Sequence, residues 1–541
     1  MFGMMMDYPL TVTAIMRHAQ KVHWNREIAS VTVDNPGQHY SYGVAFRRVN
    51  QLGNALRELG VKKGDRIGTL AWNDHRHFEL YFAVASMGAV CQTINPKLFP
   101  EQLVYIINHA EDQWLFVDPL LVPLVEKLQP QLQKVKGYIV LTDQAHMPDN
   151  TLNKPYCYET LLAEESIHCR WPELDESDAA GLCYTSGTTG DPKGVLYSHR
   201  SMVLHSMMAA LPDVMGIGSH TVLMPMVPMF HVNAWGSIHA AAMTGAKLVL
   251  PGPKMLDGET LTRLINHHKV SYSLGVPTIW NALIDYLQNS GERIVSLKSV
   301  VVGGAACSET LMTALESYGV TVHPGWGMTE TSPLGVYNSP MPGSEVLEPE
   351  QRRKQQLKAG RAIFGVELKI EDSAGNELPW DGVSAGELKV RGPWVASSYF
   401  RMEGLDDHFE NGWFDTGDVA TIDKHGYLSI TDRSKDMIKS GGEWISSIDL
   451  ENSALGHEAV AEAAAIGIHH PRWGERPLLV VVLKAGVKAN GKDVLDYLRD
   501  KVASWQLPDA CEIVEELPHT ATGKVSKKTL RQQFAGYQLP G

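Results

Sequence analysis

The chain has 541 residues, a formal net charge of −13, and an ordinary composition with 44% apolar and 20% charged residues. A chain of this length exceeds what one hydrophobic core supports, so at least two domains are expected. The acidic balance argues against a nucleic-acid-binding surface. No apolar run approaches the ~18 residues of a membrane span.

The six cysteines are scattered and form no Cys-x-x-Cys pair, which argues against a zinc site or a disulfide framework. Several lie inside apolar runs, which is typical of buried thiols in a reducing compartment. The amino-terminal residues lack the basic segment and long apolar run of a signal peptide. We therefore expect a cytoplasmic protein.

Strands and helices alternate along the first 330 residues. Helices are predicted over residues 10–21, 42–59, 77–87, 233–243, 261–268, 278–287 and 309–318. Strands are predicted over residues 65–71, 89–94, 114–117, 135–141, 222–227, 247–250, 271–274, 299–302 and 320–323. This alternation predicts parallel sheets with helices on both faces.

The pattern changes after residue 340. A proline-rich, polar stretch over residues 340–359 predicts a loop with a short exposed helix. Short strands at 367–371, 386–391 and 427–431, separated by Gly and Asp turns, then predict a small antiparallel, barrel-like part. Together these elements predict an α/β fold whose large N-terminal domain spans residues 1–431.

A polar hinge is predicted at residues 432–436, and a mobile C-terminal α+β domain at residues 437–541. The domain has its own pattern and is large enough for a small core. Its predicted helices are 448–454 and 494–502, and its predicted strands are 460–468, 478–483 and 511–514.

The stretch 184–194 has the sequence Tyr-Thr-Ser-Gly-Thr-Thr-Gly-Asp-Pro-Lys-Gly. Glycines let backbone N–H groups face an anion, and the hydroxyls and lysine add donors and charge, so the stretch suits a polyphosphate. It is not the common nucleotide P-loop, because Pro192 and Gly194 flank Lys193 and no helix begins there. A Ser/Thr/Gly surface linker is the alternative.

The order Thr-Ser-Gly-Thr-Thr-Gly-x-Pro-Lys-Gly resembles the phosphate-binding signature of the adenylate-forming superfamily. That superfamily includes acyl-CoA synthetases, luciferases and the adenylation domains of peptide synthetases. Five further segments resemble its other signatures, in order: 303–307, 325–331, 413–418, 439–446 and 520–525. The resemblance covers nearly the whole chain and favours the acyl-CoA synthetase branch, among bacterial fatty-acid–CoA ligases.

The resemblance implies an ATP site. Its phosphate loop comprises Thr185, Ser186, Gly187, Thr188, Thr189 and Lys193. Its adenine pocket comprises Gly303, Gly304, Ala305, Gly325, Trp326, Gly327, Met328 and Thr329, with Trp326 stacked on the base. Asp418 would bind the ribose hydroxyls, and Arg433 would reach the ribose and phosphates. In isolation, Asp418 is as well explained by an ordinary turn.

The resemblance also places Mg²⁺ between Glu330 and Thr185, which agrees with the preference of this ion for oxygen ligands that bridge phosphates. Lys524 would span the α-phosphate and the substrate carboxylate during adenylation, where a cation reduces the repulsion between two anions. Lys435 is also assigned to the ATP site by the resemblance and would lie at the hinge, where many relatives have Asp. In this chain Lys435 precedes Asp436.

Two further groups follow from the resemblance. Lys439, Gly441, Gly442, Glu443 and Trp444 would line the coenzyme A tunnel after the small domain rotates. His231, Trp235, Val276, Gly303 and Pro333 would form the acyl pocket. The segment 227–235 lacks the Asp that amino-acid-activating relatives use, so an amino-acid substrate is not expected. A core tryptophan is the alternative for Trp235.

The expected function is an ATP-dependent carboxylic acid–CoA ligase that uses ATP, Mg²⁺ and coenzyme A and works through an acyl-adenylate. Its catalytic residues would be Thr185, His231, Glu330 and Lys524. The acid would be fatty or small and apolar, with 3-methylmercaptopropionate one candidate, and resemblance favours a homodimer. The alternatives are a luciferase-like monooxygenase and a non-catalytic ATP-binding sensor.

Overall fold

The computed structural model describes residues 1, 3–35, 37–185, 191–402, 408–441, 443–520 and 524–540. Helices and strands alternate through most of this chain. The helices are Val12–Val22, Tyr42–Glu58, His75–Ser86, Pro100–Ala110, Val122–Leu128, Tyr158–Ala163, His199–Ala209, Ser237–Thr244, Gly258–His268, Pro277–Ser290, Glu309–Glu316, Pro349–Gln356, Ser447–Leu455, Gly491–Leu498 and Lys527–Gln533.

The first sheet carries the phosphate-loop stretch at one edge. Its strands, in spatial order, are Pro155–Cys157, Tyr138–Val140, Asp112–Val117, Arg66–Leu70, Val90–Thr93, Ala179–Tyr184 and Gly194–Ser198. Neighbouring strands are parallel except for the last pair, which is antiparallel. The two strands that flank the phosphate loop therefore form a hairpin.

The second sheet is longer and mixed. Its strands, in spatial order, are Glu367–Glu371, Gly386–Arg391, Trp413–Ile422, Tyr427–Arg433, Gly360–Ala362, Leu334–Tyr337, Thr321–Gly327, Ser299–Val302, Tyr272–Gly275, Val222–Pro225, Lys247–Leu250, Glu27–Ser30 and Gln38–Ser41, with Phe409–Glu410 beside Trp413–Ile422. Thr321–Gly327 joins a parallel half to an antiparallel half. The antiparallel part is therefore hydrogen-bonded to the parallel sheet.

The third sheet belongs to the C-terminal segment, residues 437–541. Its strands, in spatial order, are Glu443–Ile445, Ile438–Ser440, Gly474–Leu483 and Val460–His470, with Ala510–Val514 paired to Gly474–Leu483. Apolar side chains on both faces of this sheet form two small clusters under the helices. This segment thus has its own core, as its β/α pattern predicts.

Amphipathic spacing explains how the helices cover the sheets. In Gly258–His268 the buried residues Leu261, Leu264, Ile265 and His268 recur at helical spacing. In Pro277–Ser290 the indole of Trp280 is fully buried and donates to the carbonyl of Gly275 over 3.1 Å. These faces meet in one cluster that packs against the parallel half of the second sheet.

The predicted α/β architecture is confirmed, and the strands at 247–250, 299–302, 367–371 and 386–391 have the predicted bounds. The strand predicted over 135–141 is shorter, Tyr138–Val140, and the helix predicted over 494–502 is Gly491–Leu498. In the described part of the chain, no helix is both long and apolar enough to span a membrane.

The helix predicted over 233–243 was wrong at its start. Residues Val232 to Trp235 have φ values between 46° and 57°, so they form a left-handed turn, and the right-handed helix begins at Ser237. This turn keeps the side chains of Asn233, Ala234 and Trp235 buried. Left-handed backbone is unfavourable for residues other than glycine, so tertiary packing overrides the local helical pattern here.

Replacement of Trp280 with alanine is expected to lower the free energy of unfolding by about 3–5 kcal/mol, because it opens a cavity in a fully buried core. Urea unfolding followed by circular dichroism measures this change. Trp380→Ala is the matched control: Trp380 is 41% exposed, so its loss should change stability by less than about 0.5 kcal/mol. Equal effects of the two substitutions would contradict the packing described.

Candidate functional site

Neighbouring strands of the second sheet end at one edge, where several predicted site residues follow them. Val222–Pro225, Tyr272–Gly275, Ser299–Val302 and Thr321–Gly327 are adjacent and parallel. His231, Val276, Gly303, Gly304, Ala305, Gly325, Trp326, Gly327, Met328 and Thr329 lie at or just beyond their carboxyl ends. In open α/β sheets this is where ligands bind, and the region beyond these strand ends is called here the cleft.

Two glycines permit close approach of the backbone at this edge. A Cβ on Gly303 would lie 2.9 Å from the Trp235 ring and 3.2 Å from the carbonyl oxygen of Gly325. A Cβ on Gly327 would lie 1.7 Å from the carbonyl oxygen of Pro333. The edge is therefore packed so closely that neither position accepts a side chain without rearrangement.

Asp418 joins the two halves of the second sheet. Its carboxylate accepts a hydrogen bond of 2.8 Å from the indole of Trp326 and forms an ion pair of 2.8 Å with Arg433. Burial raises the pKa of Asp418, while Arg433 and Trp326 act in the opposite direction. The structure thus brings the predicted adenine-stacking ring and both predicted ribose-binding residues together.

Glu330 lies on a short 3₁₀ turn, Thr329–Thr331, directly after the strand that carries Trp326. The residue is 5% exposed, and one carboxylate oxygen accepts a 2.6 Å hydrogen bond from the hydroxyl of Tyr399. The backbone of the turn is held by Tyr197, whose hydroxyl donates to the carbonyl of Thr329 over 2.7 Å. A buried carboxylate therefore faces the cleft in a fixed orientation.

The phosphate loop is closed at its base by Thr185 and Lys193. The N–H of Thr185 donates to the carbonyl of Lys193 over 2.9 Å, and the N–H of Lys193 donates to the Thr185 hydroxyl over 3.1 Å. The Lys193 ammonium lies 4.5 Å from the centre of the Tyr399 ring. Ser186, Gly187, Thr188 and Thr189 lie outside the described residues.

His231 lies at the start of the left-handed turn, and the rest of the predicted acyl pocket is apolar. Burial, with Lys524 nearby, lowers the pKa of His231 to about 4, so the imidazole is neutral near pH 7. Trp235 is 8% exposed, with its ring against Gly303. Pro333 follows the Glu330 turn, and its carbonyl accepts from the N–H of Met328.

Lys524 comes from the C-terminal segment and reaches the same cleft. It lies beside a bridge between His519 and Val525 and retains solvent access. Desolvation by the surrounding protein lowers the pKa of the Lys524 ammonium to about 8. Arg433 also lowers this pKa, whereas Asp418 and Glu330 raise it. These interactions place Lys524 within electrostatic range of both carboxylates.

The predicted coenzyme A residues lie on a hairpin of the C-terminal segment. Trp444 is 51% exposed, the Lys439 ammonium lies 5.3 Å from its ring, and Glu443 is also exposed. The N–H of Gly441 donates to the carbonyl of Trp473 over 2.7 Å. Gly442 lies outside the described residues. The contacts described for this hairpin are with its own segment.

The predicted hinge, 432–436, is anchored on both sides. Asp432 pairs with Val419 in the second sheet, and its carboxylate accepts from the N–H of Ser447 over 2.6 Å, at the start of a helix in the C-terminal segment. Asp436 forms a 2.8 Å ion pair with Arg531 of the same segment. The side chain of Lys435 is exposed, and partial desolvation by the neighbouring protein lowers its pKa.

Sequence reasoning missed Tyr197 and Tyr399. Tyr197 follows the phosphate loop in a short strand whose alternation predicts an inward side chain, so that signal was available. Tyr399 lies in an irregular stretch after the strand Gly386–Arg391, and 69 residues separate it from Glu330. No local pattern in the sequence marks that contact.

Comparison with known proteins identifies the family. The AMP-binding enzyme family matches residues 17–400, and the AMP-binding enzyme C-terminal domain matches residues 449–524. The chain therefore belongs to the AMP-binding enzyme family, and its relatives place it among the acyl-CoA synthetases of the adenylate-forming superfamily.

Two curated relatives and one solved structure are particularly similar. The chain is 48% identical to a 3-methylmercaptopropionyl-CoA ligase of Ruegeria lacuscaerulensis, with 99% of each chain covered. It is 44% identical to a medium-chain-fatty-acid–CoA ligase of Ectopseudomonas oleovorans, with 100% of this chain and 98% of the relative covered. The crystal structure of an anthranilate CoA ligase with anthranoyl-AMP superposes with a TM-score of 0.87 at 25% identity, covering 97% of this chain and 98% of that one.

Replacement of Asp418 with asparagine is expected to weaken AMP binding roughly tenfold, or about 1.4 kcal/mol, because it removes the charge that holds Arg433. Isothermal titration with AMP measures this loss. The control is Asp496→Asn, which breaks an exposed pair with Arg499 (N–O distance 3.0 Å) and should leave binding unchanged. Unchanged AMP binding in Asp418→Asn would remove this carboxylate from the nucleotide site.

Proposed function

We propose that the protein is an ATP-dependent carboxylic acid–CoA ligase that works in two steps. An acid and ATP form an acyl-adenylate and pyrophosphate, and coenzyme A then displaces AMP to give the thioester. The observation that carries the proposal is the cluster at the strand ends, where the Trp326 indole donates to Asp418 over 2.8 Å and Asp418 forms a 2.8 Å ion pair with Arg433. Lys524, from the C-terminal segment, lies close enough to this cluster for Arg433, Asp418 and Glu330 to influence its pKa.

In the first step, a carboxylate oxygen of the acid attacks the α-phosphorus of ATP. The new P–O bond forms as the bond to the β-phosphate oxygen breaks, and pyrophosphate leaves. Lys524 reduces the repulsion between the two anions as they approach, which is most valuable in the transition state. The neutral imidazole of His231 supplies a polar contact without adding a charge near the carboxylate.

The donor set fits Mg²⁺. Glu330 offers a buried carboxylate oriented by Tyr399, and Thr185 offers a hydroxyl at the base of the phosphate loop. Hard oxygen ligands of this kind, together with phosphate oxygens, are what this ion prefers. When bound, the ion would neutralise charge that develops on the departing pyrophosphate.

In the second step, the thiol of coenzyme A attacks the acyl carbonyl. The C–S bond forms, the bond from the acyl carbon to the phosphate oxygen breaks, and AMP leaves. We propose that residues 437–541 rotate about residues 432–436 relative to residues 1–431 between the steps. Rotation would exchange Lys524 for the segment proposed to bind coenzyme A, which comprises Lys439, Gly441, Gly442, Glu443 and Trp444 and is 80 to 85 residues away along the chain.

We propose a fatty or small apolar acid as the substrate. The lining assigned to the acyl group, from Trp235, Val276, Gly303 and Pro333, is apolar and offers no carboxylate to bind an amino group. The two curated relatives act on 3-methylmercaptopropionate and on medium-chain fatty acids, as their names state. 3-Methylmercaptopropionate is therefore the first acid to test.

We further propose a homodimer in the cytoplasm. Resemblance to the family supports the dimer, and the six free cysteines support a reducing compartment. Light scattering at micromolar concentration tests the assembly, and a monomer mass would contradict it.

One assay tests the function. The protein is incubated with ATP, Mg²⁺, coenzyme A and acids from propionate to palmitate, with 3-methylmercaptopropionate included. Equal amounts of thioester and AMP are expected. An oxygen-dependent product without thioester would support the luciferase-like alternative, and ATP binding without turnover would support the sensor.

Two substitutions should separate the half-reactions. Lys524→Ala should slow pyrophosphate release by about 100- to 1,000-fold, because it removes a cation from the transition state, while supplied acyl-adenylate still reacts with coenzyme A. Trp444→Ala should slow thioester formation and leave pyrophosphate release intact. If Lys524→Ala slowed both half-reactions equally, the two-orientation mechanism would be wrong for this protein.

Adenylation should weaken at alkaline pH. With a pKa of about 8, Lys524 is protonated below that value and loses its charge above it, so pyrophosphate release should fall as the pH rises past 8. Lys524→Arg stays charged throughout this range, so its slower rate should show no such fall. Stopped assays between pH 6 and 10 measure the pH profile of each protein. If pyrophosphate release by Lys524→Arg also fell above pH 8, the fall would belong to a titrating group other than Lys524.

A further inference from the structure

An irregular stretch, residues 392–402, contacts the Glu330 turn, the end of the phosphate loop and Glu111. This stretch is called here the strap. The N–H of Ala396 donates to the carbonyl of Glu330 over 2.7 Å. The N–H of Phe400 donates to the carbonyl of Gly194, at the end of the phosphate loop, over 2.8 Å. Arg401 forms a 2.6 Å ion pair with Glu111, beside the first sheet. The strap therefore fixes the position of the turn that carries Glu330 relative to the phosphate loop.

Tyr399 occupies the middle of this connection. It is 6% exposed, its hydroxyl donates to Glu330 over 2.6 Å, and its ring lies 4.5 Å below the Lys193 ammonium. The hydrogen bond to a carboxylate is charge-assisted, and the ring attracts the cation through its quadrupole. One side chain thus contacts the proposed metal-binding carboxylate and the proposed phosphate-binding cation.

We propose that Tyr399 is a positioning residue for the metal–nucleotide complex. Its hydroxyl holds one oxygen of Glu330 and so directs the other toward the metal, and its ring keeps Lys193 near the phosphates. The inference rests on the proposed function, because Glu330 and Lys193 take their roles from it.

Two variants of Tyr399 dissect the two contacts. Tyr399→Phe removes the hydroxyl and keeps the ring, and Tyr399→Leu removes both. Binding of Mn²⁺, used in place of Mg²⁺, to the protein with ATP and without acid is followed by electron paramagnetic resonance. Tyr399→Phe should weaken Mn²⁺ binding roughly tenfold, the usual scale for loss of a group that orients a metal ligand. ATP binding in the presence of EDTA should be unchanged in Tyr399→Phe and weaker in Tyr399→Leu.

Tyr158→Phe is the matched control. The Tyr158 hydroxyl also donates to a buried carboxylate, Glu79, over 2.7 Å, but it lies in the ion-pair network around Arg48 rather than at the cleft. Tyr158→Phe should bind Mn²⁺ like the unmodified protein. Equal loss of Mn²⁺ binding in both Phe variants would show a general effect of a lost buried hydrogen bond and would overturn the proposal.

A double-mutant cycle gives a second, independent test. In a Glu330→Gln background, Tyr399→Phe should cause no further loss of Mn²⁺ binding, because its partner carboxylate is already gone. The positioning role would be refuted if Tyr399→Phe weakened Mn²⁺ binding as much in the Glu330→Gln background as in the unmodified protein. It would also be refuted if Tyr399→Phe alone bound Mn²⁺ within about twofold of the unmodified protein. These measurements need no thioester formation, so absence of turnover would count against the proposed ligase activity alone.

Discussion

The proposed reaction brings two anions together, so the arrangement of cations and carboxylates around the cleft is the constraint on which the site depends. Lys193, Arg433 and Lys524 bring three cations to it from the phosphate loop, the antiparallel strands and the C-terminal segment. The buried carboxylate of Asp418 forms an ion pair with Arg433. The buried carboxylate of Glu330 accepts a hydrogen bond from Tyr399, whose ring contacts the Lys193 ammonium. A polyphosphate and a carboxylate repel each other, and cations held nearby reduce that repulsion.

The sheet explains why distant residues meet at this cleft. Thr321–Gly327 is the last parallel strand and also the first partner of the antiparallel strands. Trp326 therefore sits where the two halves join, within 2.8 Å of Asp418, which is 92 residues further along the chain. Trp326 and Asp418, the residues proposed to bind adenine and ribose, therefore both lie on strands of one continuous sheet.

Much of this arrangement was predictable from the sequence. Strand–helix alternation predicts the parallel sheets, and the order of signatures predicts that Trp326, Glu330, Asp418 and Lys524 belong to one site. The left-handed turn at Val232–Trp235 was not predictable, because its residues have ordinary helical spacing and only burial against Gly303 and its neighbours selects the strained backbone. Tyr399 was not predictable either, because its contacts are tertiary and the strap has no periodicity.

The contacts of residues 432–436 would limit where the proposed rotation of the C-terminal segment could pivot. Asp432 and Arg433 are paired with Val419 and Asp418 in the second sheet, so their backbone belongs to the large domain. Asp436 is tied to Arg531, so its side chain belongs to the C-terminal segment. The pivot of any rotation therefore lies between residues 433 and 436, which includes Lys435. The same rotation would break the bond from Asp432 to the N–H of Ser447. That bond is buried and charge-assisted, so it stabilises the orientation in which Lys524 faces the cleft.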